Sequence, residues 1–198
     1  MKKLFTILLI AVSFSVNAQT TTTEPYIGQK DKIEIDAGYG IITAQDIITG
    51  VSTVVSSALL AHAVERVDGK GFGALFVNLD YYVGDKTAVG IQLNYAHYQT
   101  NYKMSSGNIE SLKTKYFSPM LHTKYNWVNK PILNIYSAAA VGATFYTSKN
   151  EAGEKKNITS FAFQASPIGL RVGNKVAFFA ELGFGFQGLI SGGLSLRF

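Results

Sequence analysis

The chain has 198 residues, no cysteine, 16% charged and 13% aromatic residues, and a formal net charge of +5. Zero cysteine excludes a disulfide scaffold and thiolate chemistry, and so modest a charge gives no case for nucleic acid as a partner. Ordinary soluble domains carry about a quarter charged residues, and no window reaches the ~20 apolar residues of a spanning helix; the composition fits a sheet whose outer wall meets lipid.

The chain opens as a secretory signal peptide. Met1, Lys2 and Lys3 form a short basic stretch, and residues 4–16 are apolar except for Thr6, Ser13 and Ser15. Val16, Asn17 and Ala18 then supply small-residue cleavage chemistry before Gln19. The apolar core is too short to span a bilayer. Removal of residues 1–18 leaves one domain of about 180 residues with a net charge of about +3. Residues 19–31 read as a disordered periplasmic lead-in, and 32–198 as the folded unit.

Eight strands are predicted after it, at about 32–40, 70–83, 87–102, 113–127, 132–147, 158–172, 176–186 and 189–198. Gly84-Asp85-Lys86, Val128-Asn129-Lys130-Pro131 and Gly173-Asn174-Lys175 are tight turns. They alternate with longer connections at 41–69, 103–112 and 148–157, and a tight join at Gln187 and Gly188. The first long connection contains a predicted helix over 46–62. Ile47, Ile48, Val51, Val54, Val55, Ala58 and Leu59 recur at three- and four-residue steps, and the segment from Thr43 to Asp46 is suited to cap its start. That apolar stripe must bury itself somewhere: across a barrel mouth, flat in the membrane interface, or against a partner.

Alternation assigns the faces. The lipid side receives Ile33, Ile35, Ala37, Tyr39, Leu75, Val77, Leu79, Tyr81, Val89, Ile91, Leu93, Tyr95, Phe117, Leu121, Tyr125 and Trp127. Leu133, Ile135, Val141, Phe145, Phe161, Phe163, Phe178, Leu182, Phe184, Phe186, Leu194, Leu196 and Phe198 continue it. Aromatics gather at both rims, which is a membrane signature that a soluble sandwich lacks. The other face carries Glu34, Asp36, Asn78, Asp80, Gln92, Asn94, His122, Lys124, Asn126, Tyr136, Gln164, Glu181 and Arg197. Arg171 joins them if the strand bulges near Ser166 and Pro167, because proline must sit at a bulge or an edge. An eight-stranded barrel is just wide enough for side chains to fill it, so these charges must pair. Glu34, Asp36, Asp80 and Glu181 are expected to face Lys124, Arg171, Arg197 and His122 as an ionic plug, with Glu34 on Arg197, and Asp36 and Asp80 on Lys124 and Arg171. Small residues in the other half, among them Gly38, Ala140 and Gly183, leave backbone room or a shallow cavity.

The last ten residues alternate cleanly and stop on Phe198, with Leu194, Leu196 and Phe198 on the apolar face. This ending resembles the C-terminal assembly signal of outer-membrane β-barrel proteins. With the signal peptide, strand count, turn asymmetry and aromatic rims, the chain from about Lys32 to Phe198 resembles the small eight-stranded outer-membrane barrels of the OmpA/OmpX type of Gram-negative bacteria. The resemblance implies an antiparallel up-and-down barrel with periplasmic termini and short periplasmic turns. It implies outer-membrane lipid and the barrel-assembly machinery as partners, with room for an extracellular partner at the outer loops. It does not choose among anchor, adhesin, narrow pore and lipid-modifying enzyme.

Motifs with chemistry are weak. The stretch 183–188 matches G-x-G-x-x-G, but it lies on a strand with no helix after it, so no cofactor is expected. The histidines, His62, His97 and His122, pair with no serine at readable distance and share no ligand spacing; neither catalysis nor a metal is expected. Asn157-Ile158-Thr159 is a sequon by pattern only. The reading is a non-enzymatic barrel with a structural or surface-interaction role. The alternatives are a narrow transport or ligand barrel for small apolar molecules and a lipid-active enzyme.

Overall fold

A computed structural model describes residues 28–44, 46, 64–104, 109–149 and 155–198. The strands are β1 (Ile33–Ile41), β2 (Val64–Tyr82), β3 (Thr87–Met104), β4 (Ile109–Asn129), β5 (Leu133–Lys149), β6 (Lys155–Gly173), β7 (Val176–Gly185) and β8 (Ile190–Arg197). Each pairs antiparallel with its neighbour in sequence, and β1 also pairs with β8, so the eight strands close into an up-and-down barrel. Closure runs from Glu34 opposite Arg197 to Ile41 opposite Ile190. Ile33 and Phe198 extend it by exchanging backbone bonds of 3.2 and 2.9 Å. A closed sheet leaves no edge with unpaired backbone groups.

The wall alternates as a strand must. In β7 each residue from Val176 to Gly185 switches between exposed and buried. The outward side is apolar: Trp127, Phe161, Phe178 and Phe198 are each more than 60% exposed. The inward side holds Glu34, Asp80, Gln92, Lys124 and Asn126, each at 1% or less. That is the inverse of a water-soluble protein, and it is the arrangement of a barrel wall facing lipid.

Five register shifts interrupt the ladder, and the one between Ala165 and Ile168 decides the interior. The proline at 167 cannot donate to the ladder, and the extra residue there switches the parity of β6. Ser166 and Gly169 are consequently both buried, and Arg171 turns inward. The bulge strands the Pro167 carbonyl on the apolar wall, where an unsatisfied polar group is costly. The Ser137 hydroxyl donates to that carbonyl at 2.6 Å and accepts from the Trp127 indole at 2.8 Å.

Several sequence readings are corrected. Phe186, expected on the lipid face, is buried at 6%. β7 ends at Gly185, whose φ of 143° breaks the alternation, so Gly185 and Phe186 are both inward. Strands β2, β4 and β6 begin several residues earlier than the alternation suggested, at Val64, Ile109 and Lys155. The added residues carry no apolar alternation to announce them; backbone pairing continues there, joined by polar cross-strand bonds such as Gln99 Nε2 to Ser111 Oγ at 3.1 Å and Thr147 Oγ1 to Asn157 Oδ1 at 2.9 Å. Residues 28–31, expected to end a disordered lead-in, pack against the short-turn mouth. Gln29 is buried and donates to Asn129 Oδ1 at 3.2 Å, and the Asp31 amide donates to the Tyr82 carbonyl at 2.9 Å. The signal peptide, residues 19–27 of the lead-in and the stretch 47–62 of the expected helix lie outside the described residues.

Gly169 sits opposite Tyr136, and a Cβ added there would lie 2.4 Å from the Tyr136 ring. That ring is 1% exposed and has nowhere to retreat. Gly169→Ala is therefore expected to destabilise the barrel by roughly 1–3 kcal/mol, while Gly84→Ala, whose Cβ meets nothing within 4 Å, stays within about 0.5 kcal/mol. Urea unfolding of the refolded protein, followed by fluorescence of Trp127, measures both.

Candidate functional site

The interior is built in layers from the short-turn end upward. β1 points Glu34 and Asp36 inward, β2 points Asn78 and Asp80, β4 His122 and Lys124, β6 Arg171, and β8 Arg197. The ammonium of Lys124 lies 2.6 Å from Glu34 Oε1, 2.6 Å from Asp36 Oδ2 and 3.6 Å from Asp80 Oδ2. Arg197 donates to Glu34 Oε2 through Nε at 2.6 Å and pairs with the same oxygen through Nη2. Arg171 Nε stands 3.2 Å from Glu34 Oε2 and donates to the Ser195 hydroxyl at 2.8 Å. His122 Nδ1 lies 2.7 Å from Asp80 Oδ1.

The partner of Arg171 differs from the sequence expectation, which gave it Asp36 and Asp80. It sits on Glu34, because the bulge at Pro167 places it beside β8 and Ser195. Glu181 is also corrected. It is buried at 2%, yet among the described residues it meets no cation: Tyr136 OH donates to it at 2.7 Å and Gln187 Nε2 at 2.8 Å. Two neutral donors solvate this carboxylate above the ionic layer. The oxygens of Glu34, Asp36 and Asp80 lie within 4.8 Å of one another, close enough to grip a metal ion. The Lys124 ammonium already occupies the focus of that cluster, so the donor set fits a lysine rather than a metal.

Above the ions the interior becomes aromatic, and higher up apolar side chains share it with the buried Gln92, Asn94, Gln164 and Gln187. Tyr136 lies under the Lys124 ammonium at 4.7 Å, and Tyr82 lies against Arg197 at 5.1 Å. Phe76 and Phe179 meet edge to face at 5.9 Å. The backbone room expected at Gly38 is what admits them: a Cβ there would stand 2.6 Å from the Phe76 ring and 3.0 Å from that of Phe179. Higher still, Ala44, Met120, Ala140, Ala162 and Phe186 form a buried apolar cluster. Phe76, Tyr82 and Phe179 were missed as interior residues, although each shares the parity of Asp80 or Glu181. Residue type outweighed position in that reading.

The remaining sequence candidates are placed as follows. Leu194, Leu196 and Phe198 stand exposed on the outer face of β8. His97 is outward and half-buried, opposite Lys115. Gly183, Gly185 and Gly188 lie on β7 and its turn, with no helix after them to receive a phosphate. Thr43 and Asp46 exchange the reciprocal bonds of a capping box: the Thr43 amide donates to Asp46 Oδ2 at 2.7 Å, and the Asp46 amide to Thr43 Oγ1 at 3.3 Å. The stripe Ile47, Ile48, Val51, Val54, Val55 and Leu59 is outside the described residues.

The chain is a closed, inside-out, eight-stranded barrel. No protein-family model matches it, and no curated protein matches it in sequence. Among solved structures it is similar to the N-terminal β-barrel domain of OprF from Pseudomonas aeruginosa, with a TM-score of 0.47 and 14% identity over 85% of this chain and 98% of that one. It is also similar to the outer membrane protein OprG from Pseudomonas aeruginosa, with a TM-score of 0.47 and 10% identity over 86% of this chain and 97% of that one.

Glu34→Gln removes the charge shared by Lys124, Arg171 and Arg197, all 8% exposed or less. Uncompensated buried cations follow, and a loss of about 3–5 kcal/mol is expected. Lys124→Met should cost a similar amount, since it strands Asp36 and Asp80. Unfolding midpoints of the two variants in one detergent check this; unchanged midpoints would contradict the network.

Proposed function

We propose that this chain is an integral outer-membrane β-barrel with a structural or surface-interaction role, its lumen closed by the polar and ionic network. The observation that carries this is the inverted wall: a continuous exposed apolar face around a charged, paired interior. Such a surface requires lipid or detergent, and a closed barrel is what a bilayer accepts from strands. The signal peptide supplies the export route, and the ending at Phe198 fits recognition by barrel-assembly machinery. The start of β1, the end of β8 and the short turns at 83–86, 130–132 and 174–175 share one end, which this reading places in the periplasm. The longer connections then face outside, where a partner has access.

The transport alternative needs a continuous wet lane. The edge-to-face rings of Phe76 and Phe179, and the apolar cluster above them, weigh against one. The lipid-enzyme alternative needs a nucleophile beside a base. His122 is engaged by Asp80 deep in the barrel, and His97 faces the outer wall next to Lys115; this weighs against that reading.

Unboiled protein is expected to migrate differently from boiled protein in a denaturing gel and to fractionate with outer membranes. Planar bilayers containing it should show low, unsteady conductance. Recovery as a soluble periplasmic monomer would remove the membrane reading, and a large ohmic pore would transfer the function to the transport alternative.

A further inference from the structure

The charged interior is layered by sign. In the layer nearest the short turns, Arg171 and Arg197 share one side-chain carboxylate, that of Glu34. In the next layer, Asp36 and Asp80 stand around the ammonium of Lys124. Above them Glu181 is held by neutral donors. The plug therefore turns its cationic end toward the short-turn mouth.

Two lysines add to that end. Lys32 leads into β1 with the inward parity of Glu34, and Lys175 lies in the turn between β6 and β7. Their backbones are fixed on either side of Arg197. The Tyr82 amide donates to the Lys32 carbonyl at 2.9 Å, the Lys32 amide to the Gln29 carbonyl at 3.1 Å, and the Arg197 amide to the Lys175 carbonyl at 2.8 Å. Neither lysine has a carboxylate within ion-pair distance among the described residues. Lys32 is half-buried, and burial with the guanidiniums of Arg197 and Arg171 holds its ammonium below its ordinary pKa. Like charges are crowded here, and an anion would relieve them.

A pocket of about 130 Å³ lies among these groups. Lys32, Lys175 and Arg197 line it, together with the side chains of Gln29, Asn174 and Pro131. Phe198 lines it too, and its carboxylate makes no ion pair with either lysine. Arg197 is 8% exposed, and its Nε, Nη1 and Nη2 serve Glu34, Asn134 and Tyr82. It gives the pocket charge, while the two ammoniums and the Asn174 amide have donors to offer. The other acids of this end do not line the pocket: Asp31 accepts from the Tyr81 hydroxyl at 2.7 Å, and Asp85 lies beside Gly28. A water takes roughly 30 Å³ in the liquid, and sites for drug-sized ligands start near roughly 300 Å³. The pocket thus admits an ion of a few heavy atoms and excludes a nucleotide or an oligosaccharide.

We infer that the short-turn mouth is a binding site for a small divalent oxyanion of the phosphate class, held between Lys32 and Lys175 in the field of Arg197. Two ammoniums without a carboxylate select a dianion over a monocarboxylate. The inward parity of Lys32 selects a soluble ion entering the lumen mouth over a lipid headgroup at the wall. That the ion comes from the periplasm rests on the outer-membrane reading; the site itself does not.

The test titrates the refolded full chain, in zwitterionic micelles at neutral pH and constant ionic strength, by isothermal calorimetry. The probes are inorganic phosphate, acetate and a short-chain phosphatidic acid. Phosphate should bind at a single site and more tightly than acetate. Lys32→Gln and Lys175→Gln should each weaken it roughly tenfold, the loss of one charge-assisted hydrogen bond. Lys86→Gln, an exposed lysine of another short turn that does not line the pocket, should leave it unchanged. Lys175 is exposed in a turn, so its variant carries the test even where Lys32→Gln fails to refold. Phosphate binding no tighter than that of acetate, or unchanged in Lys175→Gln, overturns the proposal. Tighter binding of the phosphatidic acid than of phosphate overturns the choice of a soluble ion. A gel without a heat-dependent shift would instead remove the membrane reading, whichever way the titration falls.

Discussion

One carboxylate organises the interior. Glu34 on β1 meets Lys124 from β4, Arg171 from β6 and Arg197 from β8, so a single buried anion ties the first strand to three others across the lumen. The tie to β8 coincides with closure, because Glu34 and Arg197 are register partners in the seam between the chain's two ends. Burying charge is expensive unless geometry and hydrogen bonding are complete. Only the closed barrel in this register brings all three cations onto Glu34, and a slip of one residue would turn the whole set to the wrong side of the wall. The network therefore selects the register as much as it stabilises the fold. Specificity of this kind matters in lipid, where the outward apolar residues are as content in one register as in another.

The layers above follow from the width of the tube. Eight strands leave space for side chains and little else. Charges occupy the layer nearest the short turns, where Asn126, Asn129 and Asn134 complete the polar mouth. Lys124 and Arg197 then lie against Tyr136 and Tyr82, rings whose faces attract cations and whose bodies begin the apolar part. Glu181 shows how far charge can be carried upward: one layer higher it is held by the hydroxyl of Tyr136 and the amide of Gln187. Beyond it Phe76, Phe179 and the cluster around Met120 fill the interior beside the buried amides of Gln92, Asn94 and Gln164. Small residues such as Gly38 and Gly169 are the complement of this filling, each lying against an aromatic ring.

Much of this was legible because a strand's period of two is unforgiving. Parity placed Glu34, Asp36, Asp80, His122, Lys124 and Arg197 inside, and proline chemistry at 167 explained how Arg171 could join them. The seam between β1 and β8 followed from closure. What escaped had physical causes. The sequence says which side of the wall Arg171 occupies but not which acid it reaches, since that depends on the angle the bulge adds. Phe76 and Phe179 were hidden because an aromatic residue reads as lipid-facing in a barrel, even where its parity is that of Asn78 and Glu181. Phe186 was misplaced because one glycine, Gly185, takes a backbone conformation that resets the alternation.

Loss of alternation is itself informative about where the bilayer ends. Up to the row of Tyr95, Phe117 and Phe145 the outward positions are mostly apolar, and the hydroxyls among them, Thr123 and Ser137, are hydrogen-bonded to backbone carbonyls. Above that row β2 to β6 continue as paired strands while their outward residues become His97, Lys115, Lys113 and Lys155. The ladder persists because backbone pairing does not depend on the solvent, and the side chains change because the solvent does. A strand boundary drawn from alternation therefore marks where the outward wall stops being apolar rather than the end of the sheet. This is why β4 and β6 continue to Ile109 and Lys155, beyond the positions where their periodicity stops. The same discontinuity concentrates cationic side chains at one height on one side of the barrel, while the strands β7, β8 and β1 stop near the aromatic belt.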